Sequence, residues 1–345
     1  MQIGIDKHAF EPTLVQLTSQ DGRQGARSHS RHHGVNDHHI AHIAALFSHR
    51  MATLADNDAH VSLARTEGFA WCQCFAAFIP DEVRGDEAWA LFRRVQSVLE
   101  RELERCGDKL AQARTMAEVD AALAAGKTAA VLTVEGASFL EDDGQAESRL
   151  DALADAGVRM VTLTWNGPNA LGSGNDTSHG LTGFGRSCVG ELERRGIVVD
   201  VSHLNDAGFK DVCATARRPF AALALERARR DAGIRATWPT GSCASWPIAA
   251  ASRGSTFCTQ FLTDRLADPT RDDVLRHVDH VLETAGEDVL ALGSDYDGCD
   301  VPSWLEPCDR IGALHELLAC EFGRDIADKV FFRNARDFFE RVESV

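Results

Sequence analysis

No run in this 345-residue sequence is apolar for long enough to cross a bilayer, and the opening MQIGIDKHAF lacks the basic flank and apolar stretch of a secretory signal. The expectation is a cytoplasmic chain that keeps off the membrane. Basic charge is scarce as well: 36 Lys and Arg stand against 52 Asp and Glu, a net charge of −16. That deficit argues against a nucleic-acid partner, which requires a basic patch or stripe, but it does little to identify a substrate. Among 10 cysteines there is no C-x-x-C pair, only a C-x-C at Cys72 and Cys74. Those two read as neighbours on one face of a strand, and without a secretory signal the default is reduced thiols. Internal repeats, low-complexity tracts and H-x-H motifs are also absent.

What is present is an alternation of strand-like and helix-like segments from Glu67 onward. Gly68–Pro80, the AAVLTVEG run ending at Gly136, Val158–Trp165, IVVDVSH ending at His203, and Val289–Leu292 read as buried strands. Between them, helical periodicity covers Glu82–Arg105, Gln112–Leu123, Glu147–Ala156, Gly183–Gly196, Asp206–Ala216 and Asp272–Thr284, and aromatic residues recur at helical spacing in Phe331–Val342. Thr256–Leu262 reads as extended. Alternation of this kind predicts a parallel sheet, and the length suits an α/β chain folded as a (β/α)8 TIM-type barrel with insertions. The barrel is expected over residues 51–345. Residues 1–50 read as an irregular N-terminal segment, with half of the chain's 14 histidines crowded into Arg27–Arg50 at no recurring ligand spacing.

Three of the predicted strands end on chemistry-bearing residues: Glu135 after VLTV, His203 after DVS, and Asp295 in GSDYDG. In a parallel barrel all strand C-termini open onto one face. A carboxylate, an imidazole and a second carboxylate gathered there are parts of a metal-assisted hydrolase. Taken singly, Glu135 could be a helix N-terminal carboxylate and His203 a satisfied polar histidine. Asp297 reads as a turn residue before Gly298.

The ordered set GVRMVTLTWNGPNALGSGND, HGLTGFGRSCVGELERRGIVVDVSHLNDAGFKDV, RRPFAA and ALGSDYDG resembles the membrane (renal) dipeptidase family of zinc metallopeptidases. The resemblance covers Asn57 to Ala222 and then Phe257 to the C-terminus, and Trp165 in TLTWN is similar to the bacterial branch. It implies a (β/α)8 barrel holding two zinc ions that hydrolyses dipeptides, with a homodimer as an open alternative. Glu135 would bridge the two ions, since one carboxylate has two oxygens, and His203 would bind one of them. Asp295 would handle protons at the attacking water and the leaving amine.

Two ligand motifs of that family are missing. After RRPFAA the family continues S-H-S-N-A-R and then H-P-R-N, whose arginine takes the substrate carboxylate; here Ala224 sits where the histidine belongs. In place of a helix, Leu223–Thr256 carries Trp238, Pro239, Trp246 and Pro247, and proline is costly inside a helix. The genetic code offers a reason. Arg235–Ala251 can be back-translated so that the same bases, read from the third nucleotide of the Arg235 codon, spell RNLADGQLRELADRGG. The same frame through Gly233 and Ile234 supplies H-P. Leu223–Thr256 is thus expected to be out of frame, through compensating indels in the gene or its sequencing, with a broken helix around Pro239 and Pro247. The family's N-terminal H-x-D is absent too: Gly34–Asp37 resembles G-H-N-D with Val35 for the histidine, IDKH (Ile5–His8) is an alternative, and His277–Asp279 is a literal match on a late amphipathic helix. The chain as written is expected to be a weak dipeptidase or a non-catalytic barrel of the same fold. Another hydrolase of the wider metal-dependent barrel class is a third reading.

Overall fold

The structure, a computed structural model, describes residues 13–16, 53–222, 253–263 and 267–344. Its strands are β1 (Thr13–Gln16), β2 (Cys72–Phe78), β3 (Leu110–Gln112), β4 (Thr128–Glu135), β5 (Val158–Thr162), β6 (Val198–Asp200), β7 (Arg253–Thr256) and β8 (Leu290–Gly293). Every pairing is parallel. One sheet runs β1-β2-β4-β5-β6 with β3 as a side strand on β4, and β7 pairs with β8. A parallel bridge from Asp200 to Ala221 adds a stave after β6, and β8 lies alongside β1. Counting that bridge and leaving out β3, the staves follow the order of a (β/α)8 TIM-type barrel.

β2 and β4 are buried along their whole length, as strands covered on both faces must be. One set of side chains fills the barrel: Cys72, Cys74, Ala129, Val131, Met160, Val198 and Ala291 form one cluster, stoppered by Phe338, Phe339 and Val342 of the C-terminal helix Asn334–Ser344. The other set packs outward against helices such as Gly85–Arg105, whose Phe92, Val95 and Leu99 are buried. Residues two apart on a strand share a face, so Cys72 and Cys74 point the same way as expected. Helix starts are set by short polar caps. Thr115, Thr182 and Asn205 each accept a backbone N–H three residues on, and Thr270 and Asp273 form a reciprocal capping box.

Four differences from the sequence reading stand out. The irregular segment 1–50 contributes β1, which the sequence reading missed. β3 was also missed, and the helix expected from Gln112 begins only at Met116, because Thr115 supplies the cap. Thr256–Leu262 is not extended throughout: β7 ends at Thr256 and Thr259–Leu262 is a single helical turn. Finally, β7 lies inside the stretch expected to be out of frame, yet pairs in register with β8. The predicted break around Pro239 and Pro247, Ala224, and the Gly34–Asp37 and Ile5–His8 motifs all lie outside the described residues. Among the described helices, none is long and apolar enough to cross a membrane.

Candidate active site

Glu135 is the last residue of β4, level with Thr162 of β5, which is itself level with Asp200 of β6. The chain must then turn sharply, and Gly136 does so at φ +85°. A Cβ there would sit 2.6 Å from the Ile79 carbonyl oxygen, so the turn after Glu135 requires glycine. Asp200 shapes the neighbouring turn. Its carboxylate accepts from the Thr162 hydroxyl, from Ser202 N at 3.0 Å and from Ser202 Oγ at 2.7 Å. That brace holds His203 at φ 64°, a left-handed conformation costing about 1–3 kcal/mol for a non-glycine residue and concentrated at functional sites.

The outcome is convergence. His203 Nε2 lies 3.1 Å from Glu135 Oε1, with both side chains largely buried. His203 Nδ1 meets Asn166 Oδ1 at 2.9 Å. Trp165 stands beside the imidazole at 6.3 Å between ring centroids and packs edge-on against Phe78 at 5.1 Å, an aromatic wall on one side of the pair.

Asp295 follows β8 and is also left-handed, at φ 54°. Burial pushes its carboxyl up to about 7, and the negative charge of Glu135 adds to the rise, while Cys299 and His203 pull against it. The three residues singled out at strand ends therefore share one electrostatic neighbourhood at one end of the barrel.

Asp297 is more than the turn residue that the sequence suggested. Its carboxylate accepts from His60 N at 2.6 Å and Val61 N at 3.4 Å, while its own N–H donates to His60 Nδ1 at 2.9 Å. Cys308 N donates to the His60 carbonyl at 3.1 Å, and Tyr296 Oη donates to the Leu305 carbonyl at 2.7 Å. The GSDYDG loop is thus clamped between the segment after residue 53 and the loop before Cys308. Sequence reasoning missed His60, Asp297 and Asn166 as parts of the site's frame. Their partners are far away in the chain, and no local spacing announces them.

Among the described residues, no group of three or more His, Cys, Asp or Glu side chains is arranged to hold a metal ion. Glu135 and His203 provide an oxygen and a nitrogen donor, the types zinc takes, but a catalytic zinc site needs three protein ligands. Any others would have to come from outside the described residues. His277 and Asp279, the literal H-x-D, lie within the helix Arg271–Ala285 with Val278 buried between them, not at the end of a strand.

Comparison with known proteins bears on this geometry. The family model of membrane dipeptidase, peptidase family M19, matches residues 23–231 and 254–345. The gap of 232–253 in that match falls wholly within Leu223–Thr256, the stretch suspected of a frame change. A Klebsiella pneumoniae protein described only as uncharacterized, in the pqqA 5′ region, is 30% identical over 229 residues, covering 60% of this chain and 79% of its own. Dipeptidase verJ of Clonostachys rogersoniana is 29% identical over 233 residues, covering 66% of this chain and 57% of its own. A metallopeptidase from Rhodobacter sphaeroides, crystallised with a phosphinate mimic of the dipeptide L-Ala-D-Ala, superposes with a TM-score of 0.70 at 25% identity, covering 83% of this chain and 91% of that one.

Proposed function

The chain belongs to the membrane dipeptidase family, and from that premise we propose that its barrel is a zinc-dependent dipeptidase whose metal site is impaired in the sequence as written. The observation that carries the reading is the 3.1 Å meeting of Glu135 and His203 at the end of β4 and past β6. The dipeptide mimic bound by the Rhodobacter enzyme supports dipeptides as the substrate class. Glu135 and His203 are the residues that would hold zinc, and a bound ion would supply Lewis acidity toward the scissile carbonyl.

The remaining chemistry is the chain's own. In the metal-free chain burial and the charge of Glu135 push the Asp295 carboxyl up to about 7, and its place beside Glu135 and His203 at the barrel mouth suits a group that passes protons there. Asp295 would therefore take a proton from the attacking water and pass it to the leaving amine. Trp165 and Phe78 form an apolar flank that keeps water from that side of the site. Asp297 and His60 hold the loop that carries Asp295, and so fix where the proton is delivered.

A second reading, a non-catalytic barrel that binds small peptides or a single metal, is favoured by one observation. Alone among the described residues, Glu135 and His203 do not complete a zinc site. The interruption of the family match at 232–253 falls on the segment that the shifted frame turns into H-P-R-N and a helix. A chain with that frame restored, to S-H-S-N-A-R and H-P-R-N, gains an imidazole for zinc and a guanidinium whose planar fork suits a substrate carboxylate. The test is a dipeptidase assay with added zinc on the chain as written and on the restored chain, each also supplied with an N-terminal H-x-D. The restored chain should release amino acids far faster. Equal rates would show that the 232–253 segment is not what separates this chain from its family.

A further inference from the structure

The interaction on the far side of His203 from Glu135 has a built support. Asn166 opens the loop that follows Trp165, and that loop is fastened at several points. Gly174 N donates to the Gly167 carbonyl at 3.0 Å and Asp176 N to the Asn166 carbonyl at 2.9 Å. Gly167 N donates to Asp81 Oδ2 at 2.7 Å, and Arg84 Nη2 donates to the Pro168 carbonyl at 2.8 Å. Gly174 lies so close that a Cβ would fall 1.9 Å from the Trp165 carbonyl oxygen and 2.5 Å from the Asn166 carbonyl carbon. From the other direction, Asn205 Nδ2 donates to the carbonyls of Thr177 and His179 at 3.0 and 2.8 Å, while Asn205 also caps the helix just after His203. The Asn166 carboxamide and the His203 ring are thereby held by two braced turns that share Asn205 and Gly174.

The chemistry of this contact is directional. An amide oxygen can only accept, so with Asn166 Oδ1 turned to the ring the 2.9 Å contact is a hydrogen bond only when His203 Nδ1 carries the proton. The Nε2 lone pair is then the one that faces Glu135 Oε1. Two acceptors 3.1 Å apart call for a cation or a further proton between them.

We infer that Asn166 is a positioning residue that sets the tautomer of His203, holding the proton on Nδ1 so that the Nε2 lone pair is the one presented to the metal. The role as metal ligand rests on the dipeptidase reading; the tautomer does not. Outer partners of this kind typically change metal affinity about 10–100-fold when removed.

The test uses the full chain with 15N-labelled histidine, first treated with chelator. His203 is assigned by its loss in His203→Gln, and its tautomer is read from long-range proton–nitrogen correlation. Asn166→Leu removes the acceptor, Asn166→Gln moves it by one methylene, and Asn166→Asp keeps an acceptor in place. In the native chain and in Asn166→Asp, Nδ1 should carry a proton whether or not a second one sits on Nε2 facing Glu135, whereas in Asn166→Leu and Asn166→Gln the proton should leave Nδ1 for Nε2 or give a mixture. If Asn166→Leu does not fold, Asn166→Gln decides. Zinc titrations on the same proteins should show affinity falling about 10–100-fold in Asn166→Gln and staying within a few-fold in Asn166→Asp. A proton that stays on Nδ1 when the acceptor is displaced, or zinc affinity that does not change, overturns the assignment. A native chain that binds no zinc while the tautomer follows Asn166 leaves the tautomer assignment standing, and a frame-restored chain supplied with an N-terminal H-x-D that also binds none would sink the dipeptidase reading.

Discussion

Replacing Asp295 by asparagine should stabilise the metal-free chain above neutral pH. In the folded state the Asp295 carboxyl is pushed up to about 7, chiefly by burial and then by Glu135; in the unfolded chain an aspartate titrates near about 3.9. A carboxyl with a raised folded pKa holds its proton more tightly when folded. Its effect on stability is therefore most favourable below about pH 4, is lost as pH rises from about 4 to about 7, and leaves the full penalty above about pH 7. Roughly three pKa steps at about 1.36 kcal/mol each set an upper limit of about 4 kcal/mol. The residue is only half-buried at the barrel mouth, so solvent screening reduces this to about 2–4 kcal/mol. The asparagine would keep the shape and remove the titration. In urea denaturation with chelator, Asp295→Asn should be about 2–4 kcal/mol more stable than the native chain at about pH 8, and the gap should narrow by more than half at about pH 5. The same substitution should abolish dipeptidase activity in a frame-restored chain. A gap that does not change with pH, or a variant less stable than native at the alkaline end, would refute a carboxyl strained by burial.

Three further substitutions probe the frame of the site. Asp297→Ala strips the acceptor from His60 N and Val61 N inside the fold, and each unpaired buried donor costs about 1–3 kcal/mol; denaturant unfolding should show a loss of about 2–5 kcal/mol, and no loss would mean that the clamp is not structural. Gly174→Ala forces a methyl against the Trp165 carbonyl, so thermal unfolding should report a destabilisation of about 3 kcal/mol or more; a neutral result would show that the loop shifts freely. Gly136→Ala meets the Ile79 carbonyl and must also adopt φ +85°; it should lower the melting temperature and weaken zinc binding together, and lowered stability with unchanged zinc binding would separate the turn from the placement of Glu135.

Much of this was written in the sequence at short range. The runs before Glu135, His203 and Asp295 are rich in β-branched and apolar residues, and parallel topology does the rest by bringing their ends to one face. The parts that were illegible depend on contacts distant in the chain. His60 and Asp297 are 237 positions apart, and Asn166 and His203 are 37 apart. Neither pair has a spacing that a helix or strand would impose. β1 and β7 are four residues each, too short for alternation to show, and β1 lies in a segment whose composition points to no element. Asp297 read as a turn residue because Asp before Gly favours a turn; it does adopt φ 66°, but its carboxylate, which no local pattern describes, turns out to staple two segments.

The most direct measurement is anomalous diffraction at the zinc edge from crystals of the chain grown with zinc. The expected result is a peak at about 2.0–2.2 Å from both His203 Nε2 and a Glu135 carboxylate oxygen, with Asn166 still bonded to Nδ1. Zinc bound only elsewhere, with His203 and Glu135 remaining in direct contact, would contradict the assignment of these strand ends as the metal centre.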